Sequence, residues 1–260
     1  MINQMQKKVL ILALRAGELM MKSGAEIYRV EDTITRICKA CRIPYVEVFA
    51  TPTGIFLSLD EGSEDSDMHT FIKRIKGTSI DLEKISRINH FSREFTDTDL
   101  SIEKGLTILK EISNIKPYPL LLRVLGAALV SSFFALIFQG TLQDFFCAFV
   151  AGVGSYLLSV LLDKLDINLF IRGFCCCAAA TFMALGLISA GLGSNLHPII
   201  IGSIMIFLPG VALTNAVRDT LAGDMVSGMS KGIEAIIIAV SIASGVGVAI
   251  KLWTLMGGAF

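Results

Sequence analysis

The chain has 260 residues, and its 23 Lys and Arg balance its 23 Asp and Glu. Balanced charge removes the basic surface that nucleic-acid binding requires. The charge is also uneven. Of the 46 charged residues 34 precede Leu120, leaving 12 for the remaining 141 positions, which divides the chain into a soluble N-terminal part and a membrane part.

In chain order, the N-terminal stretch KKVLILALRAGELMM is no signal peptide. Arg15 and Glu18 interrupt its apolar run and no small-residue cleavage site follows. Its pattern suits an amphipathic helix from about Met5 to Lys22. SGAE then reads as a break and restart, with Ser23 as N-cap and Glu26 three residues later, the spacing of a capping box. A second helix runs to about Cys41. Val30, Ile34, Ile37 and Cys41 form its apolar face, with Lys22, Glu26, Arg29, Thr33 and Arg36 opposite. Glu31 is a misfit, beside the apolar arc near Ile27 and Cys38. Arg29 and Asp32 are spaced for a solvated i,i+3 pair.

After Pro44 the pattern changes. YVEVFATPTGIFLSLD reads as two short strands around the turn Thr51-Pro52-Thr53-Gly54. HTFIKRIKG supplies a third strand. DLEKISRINHFSREF and DLSIEKGLTILKEIS read as two helices, and Pro117 and Pro119 mark a boundary. Residues 1–117 thus form a small α+β domain.

That domain carries His69 and His90 but no G-x-S-x-G, Walker A or paired-His spacing. No catalytic residue is assigned, and without an ATP-binding loop any transport couples to a gradient. Cys38 and Cys41 form a CxxC with no second pair, and Cys175, Cys176 and Cys177 point in three directions on a helix. No metal site and no cofactor are expected.

Five apolar runs follow, roughly 120–138, 144–162, 172–193, 197–216 and 233–254, each near the length a bilayer requires. The expected fold is an α-helical membrane protein, five transmembrane helices over 118–260 preceded by the α+β cytoplasmic domain. Lys104, Lys110 and Lys116 precede the first run, Lys164 and Arg172 occupy the second loop, and Arg218 and Lys231 the fourth. The first and third loops carry none. The alternation places the N-terminus in the cytoplasm and the C-terminus outside. Lys251, near the outer end, is the exception and can snorkel. The pairs Ala148 with Gly152, Ser241 with Gly245 and Ala243 with Gly247 read as helix-packing seams.

The stretch LPGVALTNAVRDTLAGD (208–224) places polar groups inside an apolar region. Pro209 removes a backbone donor, so the fourth helix breaks there, and Gly210 allows close approach. The helix that resumes sets Thr214 with Arg218 and Asn215 with Asp219, each at i,i+4. Asp224 and Glu234 flank the next loop and the fifth run. One reading is a helix leaving the membrane, with Arg218 and Asp219 among headgroups. The other is a substrate or ion pathway through Pro209, Gly210, Thr214, Asn215, Arg218, Asp219, Asp224 and Glu234. Broken helices and ionisable groups in membranes usually serve function, and this patch offers a cation for a carboxylate and an acid for a proton or an ammonium group.

Three stretches together carry a resemblance. GAEIYRVEDTITRI (24–37), with Glu26, Arg29, Glu31 and Asp32, and ATPTGIFLSL (50–59), with the Thr51–Gly54 turn, resemble the N-terminal domain of the threonine/serine exporter family. LPGVALTNAVRDTLAGDMVSGMSKGIEA (208–235) is similar to that family's membrane signature. The resemblance implies a secondary exporter of small hydrophilic metabolites, threonine and serine above all, with dicarboxylates such as succinate as the alternative. It also implies a two-component transporter, because long members carry a further membrane module after these five spans. The expected partners are a small membrane protein supplying that module, a small-molecule substrate and the lipid bilayer; a homo-oligomer is the other arrangement. A bacterial-type inner membrane is the expected location. The competing reading is a membrane-tethered hydrolase or sensor, against which the Pro-Gly break and the Asn and Asp in an apolar stretch both count. GAEIYRVEDT reads either as a capped, solvated helix start or as a docking or gating surface.

Overall fold

The computed structural model describes residues 4–60 and 69–258. The order is α1 (Gln4–Lys22), α2 (Ile27–Ala40), β1 (Tyr45–Thr51), β2 (Gly54–Asp60), β3 (His69–Arg74), α3 (Leu82–Asp97), α4 (Ile102–Ser113), α5 (Leu120–Ile137), α6 (Leu142–Lys164), α7 (Leu169–Ser189), α8 (Leu196–Ile204), a 3₁₀ turn (Met205–Phe207), α9 (Gly210–Leu221) and α10 (Met225–Leu255). The chain divides into two compact units: Met1–Lys116 with Val211–Gly232, and Pro117–Gly210 with Ile233–Phe260.

In the first unit the three strands form an antiparallel sheet in the order β1-β2-β3. Alternation of side chains sends Ile55, Leu57 and Leu59 into the core. The register aligns Phe49 with Phe56 and Phe56 with Ile72 on the exposed face. Leu12, Met20, Ile34, Ile37, Ile88, Phe91 and Leu109, drawn from α1 to α4, complete the core.

The start of α2 differs from the sequence expectation. Ser23 caps nothing at the N-terminus of α2. It lies at the end of α1, where Gly24 adopts φ +85°, Gly24 N–H donates to Met21 O at 3.1 Å and Ala25 N–H to Met20 O at 3.1 Å. This is the glycine-terminated Schellman ending. A glycine free to take positive φ decides the geometry over the competing Ser-x-x-Glu signal. Helix α2 begins three residues later, with Glu26 at the N-cap position and no first-turn backbone N–H donating to its side chain. Val30, Ile34 and Ile37 are buried as expected, but Cys38 and not Cys41 joins them fully, and Glu26 and Thr33, assigned to the polar face, are buried.

Helices α5, α6, α7 and α10 are long and apolar enough to cross a membrane. The α8–α9 pair, broken at 205–209, makes a fifth if counted as one span. The break is where Pro209 demands it. Helix α8 ends at Ile204, and Leu208 is extended before α9 starts at Gly210. With α1–α4, a small sheet and four to five candidate spans, this is a mostly helical, multi-pass membrane protein. Large apolar side chains such as Leu121, Ile137, Phe146 and Ile236 remain exposed, as lipid-facing positions do. Small residues mediate the close contacts: a Cβ at Gly152 would strike Ser131, and one at Gly245 would strike the Phe174 carbonyl. Ser241 Oγ donates to Phe170 O at 2.7 Å. Ala243 and Gly247 form no such seam, because both are exposed on α10 and a Cβ at Gly247 would meet nothing.

Candidate functional site

Gly24 to Arg29 and Asn215 to Asp219, some 190 residues apart, meet in the first unit. On α9 the side chains of Ala212, Asn215, Ala216 and Asp219 share one buried face, the i, i+3, i+4, i+7 spacing of a helix stripe. Asn215 Nδ2 donates to Gly24 O at 2.9 Å, the carbonyl presented by the left-handed turn that ends α1. Ile27 N–H, the first free donor of α2, donates to Asp219 Oδ1 at 3.1 Å. Asp219 therefore caps α2 from 192 positions away. A carboxylate at a helix N-terminus gains from both the unpaired N–H groups and the helix dipole.

Glu26 occupies the middle of this joint. Its side chain is only 7 % exposed, and it takes Arg218 Nη1 on Oε1 at 2.6 Å and Arg29 Nε on Oε2 at 3.3 Å. Burying a carboxylate is costly unless it is paired, and two guanidiniums satisfy that need. The expected Arg29–Asp32 pair is absent, because Glu26 claims Arg29 one turn earlier. Asp32 instead pairs with Arg36 at 2.6 Å on the surface.

Glu31, the misfit of the helical wheel, accepts the Ala50 N–H at 2.7 Å and so ties α2 to β1. The next residues form the Thr51–Gly54 hairpin turn, where Pro52 and Thr53 are the two central positions and Thr51 Oγ1 donates to Gly54 O at 3.3 Å. Burial pushes the Glu31 carboxyl above its ordinary value. The Ala50 N–H opposes that shift, and the Asp224 and Asp219 carboxylates add to it. Asp219, Asp224 and Glu31 are thus close enough to repel one another.

The expected pathway residues separate. Asn215, Arg218, Asp219 and Asp224 fall in the first unit with Glu26, Arg29 and Glu31, whereas Pro209, Gly210 and Glu234 belong to the second. Thr214 is exposed on α9, off the buried face. Among the described residues no group of three or more His, Cys, Asp or Glu is placed to hold a metal ion. Burial pushes the Cys38 thiol up to about 12, with Cys41 adding to the shift.

Sequence reasoning passed over Asp144, in the second unit. It is fully buried at the start of α6. It accepts from Thr141 N at 2.8 Å, Thr141 Oγ1 at 2.9 Å, Ser194 N at 2.7 Å, Asn195 N at 2.9 Å and Asn195 Nδ2 at 3.1 Å. Thr141 and Asp144 form a capping box, and the Thr-x-x-Asp spacing ahead of an apolar run was the available signal.

Residues 11–253 match the family model described as "Putative threonine/serine exporter". The chain is 23% identical over 249 residues to a "Probable threonine/serine exporter" of Mycobacterium tuberculosis, covering 94% of this chain and 46% of that one. It therefore spans about half the length of that relative. It is 25% identical over 260 residues to a "Probable succinate transporter subunit YjjP" of Klebsiella aerogenes, covering 98% of this chain and 97% of that one. The protein of the same description from Escherichia coli is 25% identical over 261 residues, covering 99% of each. No solved structure matches the chain.

Proposed function

The chain belongs to the threonine/serine exporter family, and from that premise we propose that it is a subunit of a secondary exporter of small hydrophilic metabolites. Threonine- and serine-like amino acids are the first candidates, and dicarboxylates such as succinate the alternative, since relatives of both descriptions resemble it. The protein is a transporter component and not an enzyme. It works in a bacterial-type inner membrane with five spans over 118–260, α8 and α9 counting as one. The domain of residues 1–117 and the N-terminus are cytoplasmic, and the C-terminus is external. A second, small membrane protein supplies the other half of the exporter, in keeping with the word "subunit" in the descriptions of two relatives.

The observation that carries this reading is the α2–α9 joint. A helix that merely left the membrane would turn Asn215 and Asp219 towards water. Both are buried against the junction of α1 and α2 instead. The joint consists of one half-exposed ion pair and two hydrogen bonds to backbone, so opening it costs on the order of 3–5 kcal/mol. That is firm enough to hold a closed state and weak enough for ligand binding to release it. In this reading Asn215, Arg218 and Asp219 form a cytoplasmic gate, with Asp224 and Glu31 beside it and Pro209, Gly210, Thr214 and Glu234 along the pathway.

The test is efflux of threonine, serine and succinate from loaded cells that carry this chain, a candidate small subunit encoded nearby, both, or neither. Export of at least one metabolite only when both are present is expected. An unchanged efflux of all three with both present overturns the exporter reading. Robust transport by the purified single chain in liposomes overturns the two-component arrangement alone.

A further inference from the structure

Beside the α2–α9 joint the first unit forms an open cavity of about 300 Å³ lined by Glu26, Arg29, Ser86, Asn89, Asn215 and Arg218 among others. Its ionic lining is unbalanced, with two guanidiniums sharing the single carboxylate of Glu26. A guanidinium carries five N–H donors in a planar fork. Arg29 spends its Nε and Arg218 one Nη on Glu26, so most of both forks is left over. The side chains of Asn89 and Ser86 make no hydrogen bond to another described residue, and Asn215 commits its amide nitrogen to Gly24 O while its oxygen is left over. The two arginine side chains are 31% and 53% exposed, so the cavity opens to solvent.

We propose that this cavity, between the first turn of α2, α3 and the start of α9, is a recognition site for a small carboxylate, and that Glu26 is its built-in competitor. A ligand carboxylate meets the spare donors of Arg29 and Arg218 as a planar, bidentate partner. It supplies the negative charge that the two-to-one pairing lacks. Asn89, Ser86 and the Asn215 oxygen offer donors and an acceptor to the remainder of the ligand, whether a second carboxylate or an ammonium group. Because Arg218 also holds Glu26, a ligand that draws Arg218 towards itself loosens the α2–α9 joint. Binding itself is independent of the exporter reading, and only the link from binding to gate opening rests on it.

The experiment is thermal unfolding of the purified full-length chain in detergent against increasing succinate, L-threonine, sodium phosphate and succinamide, the last being the neutral counterpart of succinate. A saturable rise in Tm with succinate, threonine or both, and none with succinamide, is expected. Arg29→Lys and Arg218→Lys, which keep the charge and lose the fork, each weaken that binding by about tenfold or more. Glu26→Gln strengthens it, because the internal competitor has lost its charge. Succinate ahead of threonine assigns a dicarboxylate, and the reverse order an amino acid. Three results overturn the proposal: no saturable shift in the unaltered chain, equal shifts with succinate and succinamide, or unchanged affinity in both Lys variants. Phosphate binding as tightly as either organic ligand overturns the carboxylate assignment. Carboxylate binding without cellular export would leave the site standing and remove the exporter reading, and export without binding would do the opposite.

Discussion

Asp144 and Asp219 are both buried aspartates whose carboxylates cap a helix start, Asp144 that of its own α6 and Asp219, from the last turn of α9, that of α2, yet the protein treats them differently. Asp144 receives five hydrogen bonds, three from backbone N–H groups. Among the described residues Asp219 receives one, from Ile27 N–H, and shares its surroundings with Glu26, Asp224 and Lys231. The first is a carboxylate with every need met, fixing α6 to the segment ahead of α8. The second is held in a crowd of charge by a single bond. A satisfied buried polar group rigidifies its surroundings, whereas a partly satisfied one leaves an equilibrium that small changes can tip.

The comparison breaks most easily at Asp144. Asp144→Ala removes the shared acceptor of five part-buried hydrogen bonds, each worth about 0.5–1.5 kcal/mol net, so a loss of about 3 kcal/mol or more is expected. The readout is the fraction of protein that stays monodisperse after heating in detergent. A mild effect would mean that the five-bond cage is replaceable by water. Asp219→Asn is the counterpart. Asn caps helices about as well as Asp, so stability should fall by no more than about 1 kcal/mol, while export is abolished or uncoupled because Asn carries no charge and exchanges no proton. If Asp219→Asn unfolds the protein as Asp144→Ala does, the two aspartates do the same job and the distinction fails. Ala substitutions at Val211 and Leu213 control for packing damage.

The smallest effect concerns Glu31. Its carboxyl is raised by burial and by Asp224 and Asp219, against the pull of the Ala50 N–H. An acid whose folded value lies above its unfolded value binds protons better when folded, so stability falls as pH rises from the ordinary Glu range through the raised one. Glu31→Gln keeps an acceptor for Ala50 N–H and removes the charge. Its Tm near neutral pH should match or slightly exceed that of the unaltered chain, with a flatter profile over that window. A Tm curve parallel to the original at every pH would show that Glu31 takes no part in the repulsion.

Much of the architecture is legible because it rests on local chemistry. The apolar runs, the hairpin around Pro52 and Thr53 and the break at Pro209 follow from composition and from what proline forbids. The boundary at Ser23–Glu26 misleads because two local signals compete, and a glycine able to take positive φ outranks a serine cap. The candidate site is legible only as two halves. Asn215, Arg218 and Asp219 stand out as polar groups in an apolar stretch, and Glu31 as a charge beside an apolar face, but nothing local says that Asp219 meets Ile27. No spacing rule spans 192 residues. Asp144 was readable from its capping box, a signal easily taken for mere helix punctuation.

The long reach of the Asp219–Ile27 bond also sets an order of events during synthesis. The first turn of α2 leaves the ribosome early, and the carboxylate that completes it is made 192 residues later. At about 5–20 residues per second, that interval is on the order of 10–40 seconds, and the segments from α5 to α8 are made within it. Until then the Ile27 N–H must donate its hydrogen bond to water. The α2–α9 joint therefore closes only on a chain whose first three long apolar helices have already been synthesised, so the same contact that proposes itself as a gate in the finished protein also marks that its assembly has reached this stage.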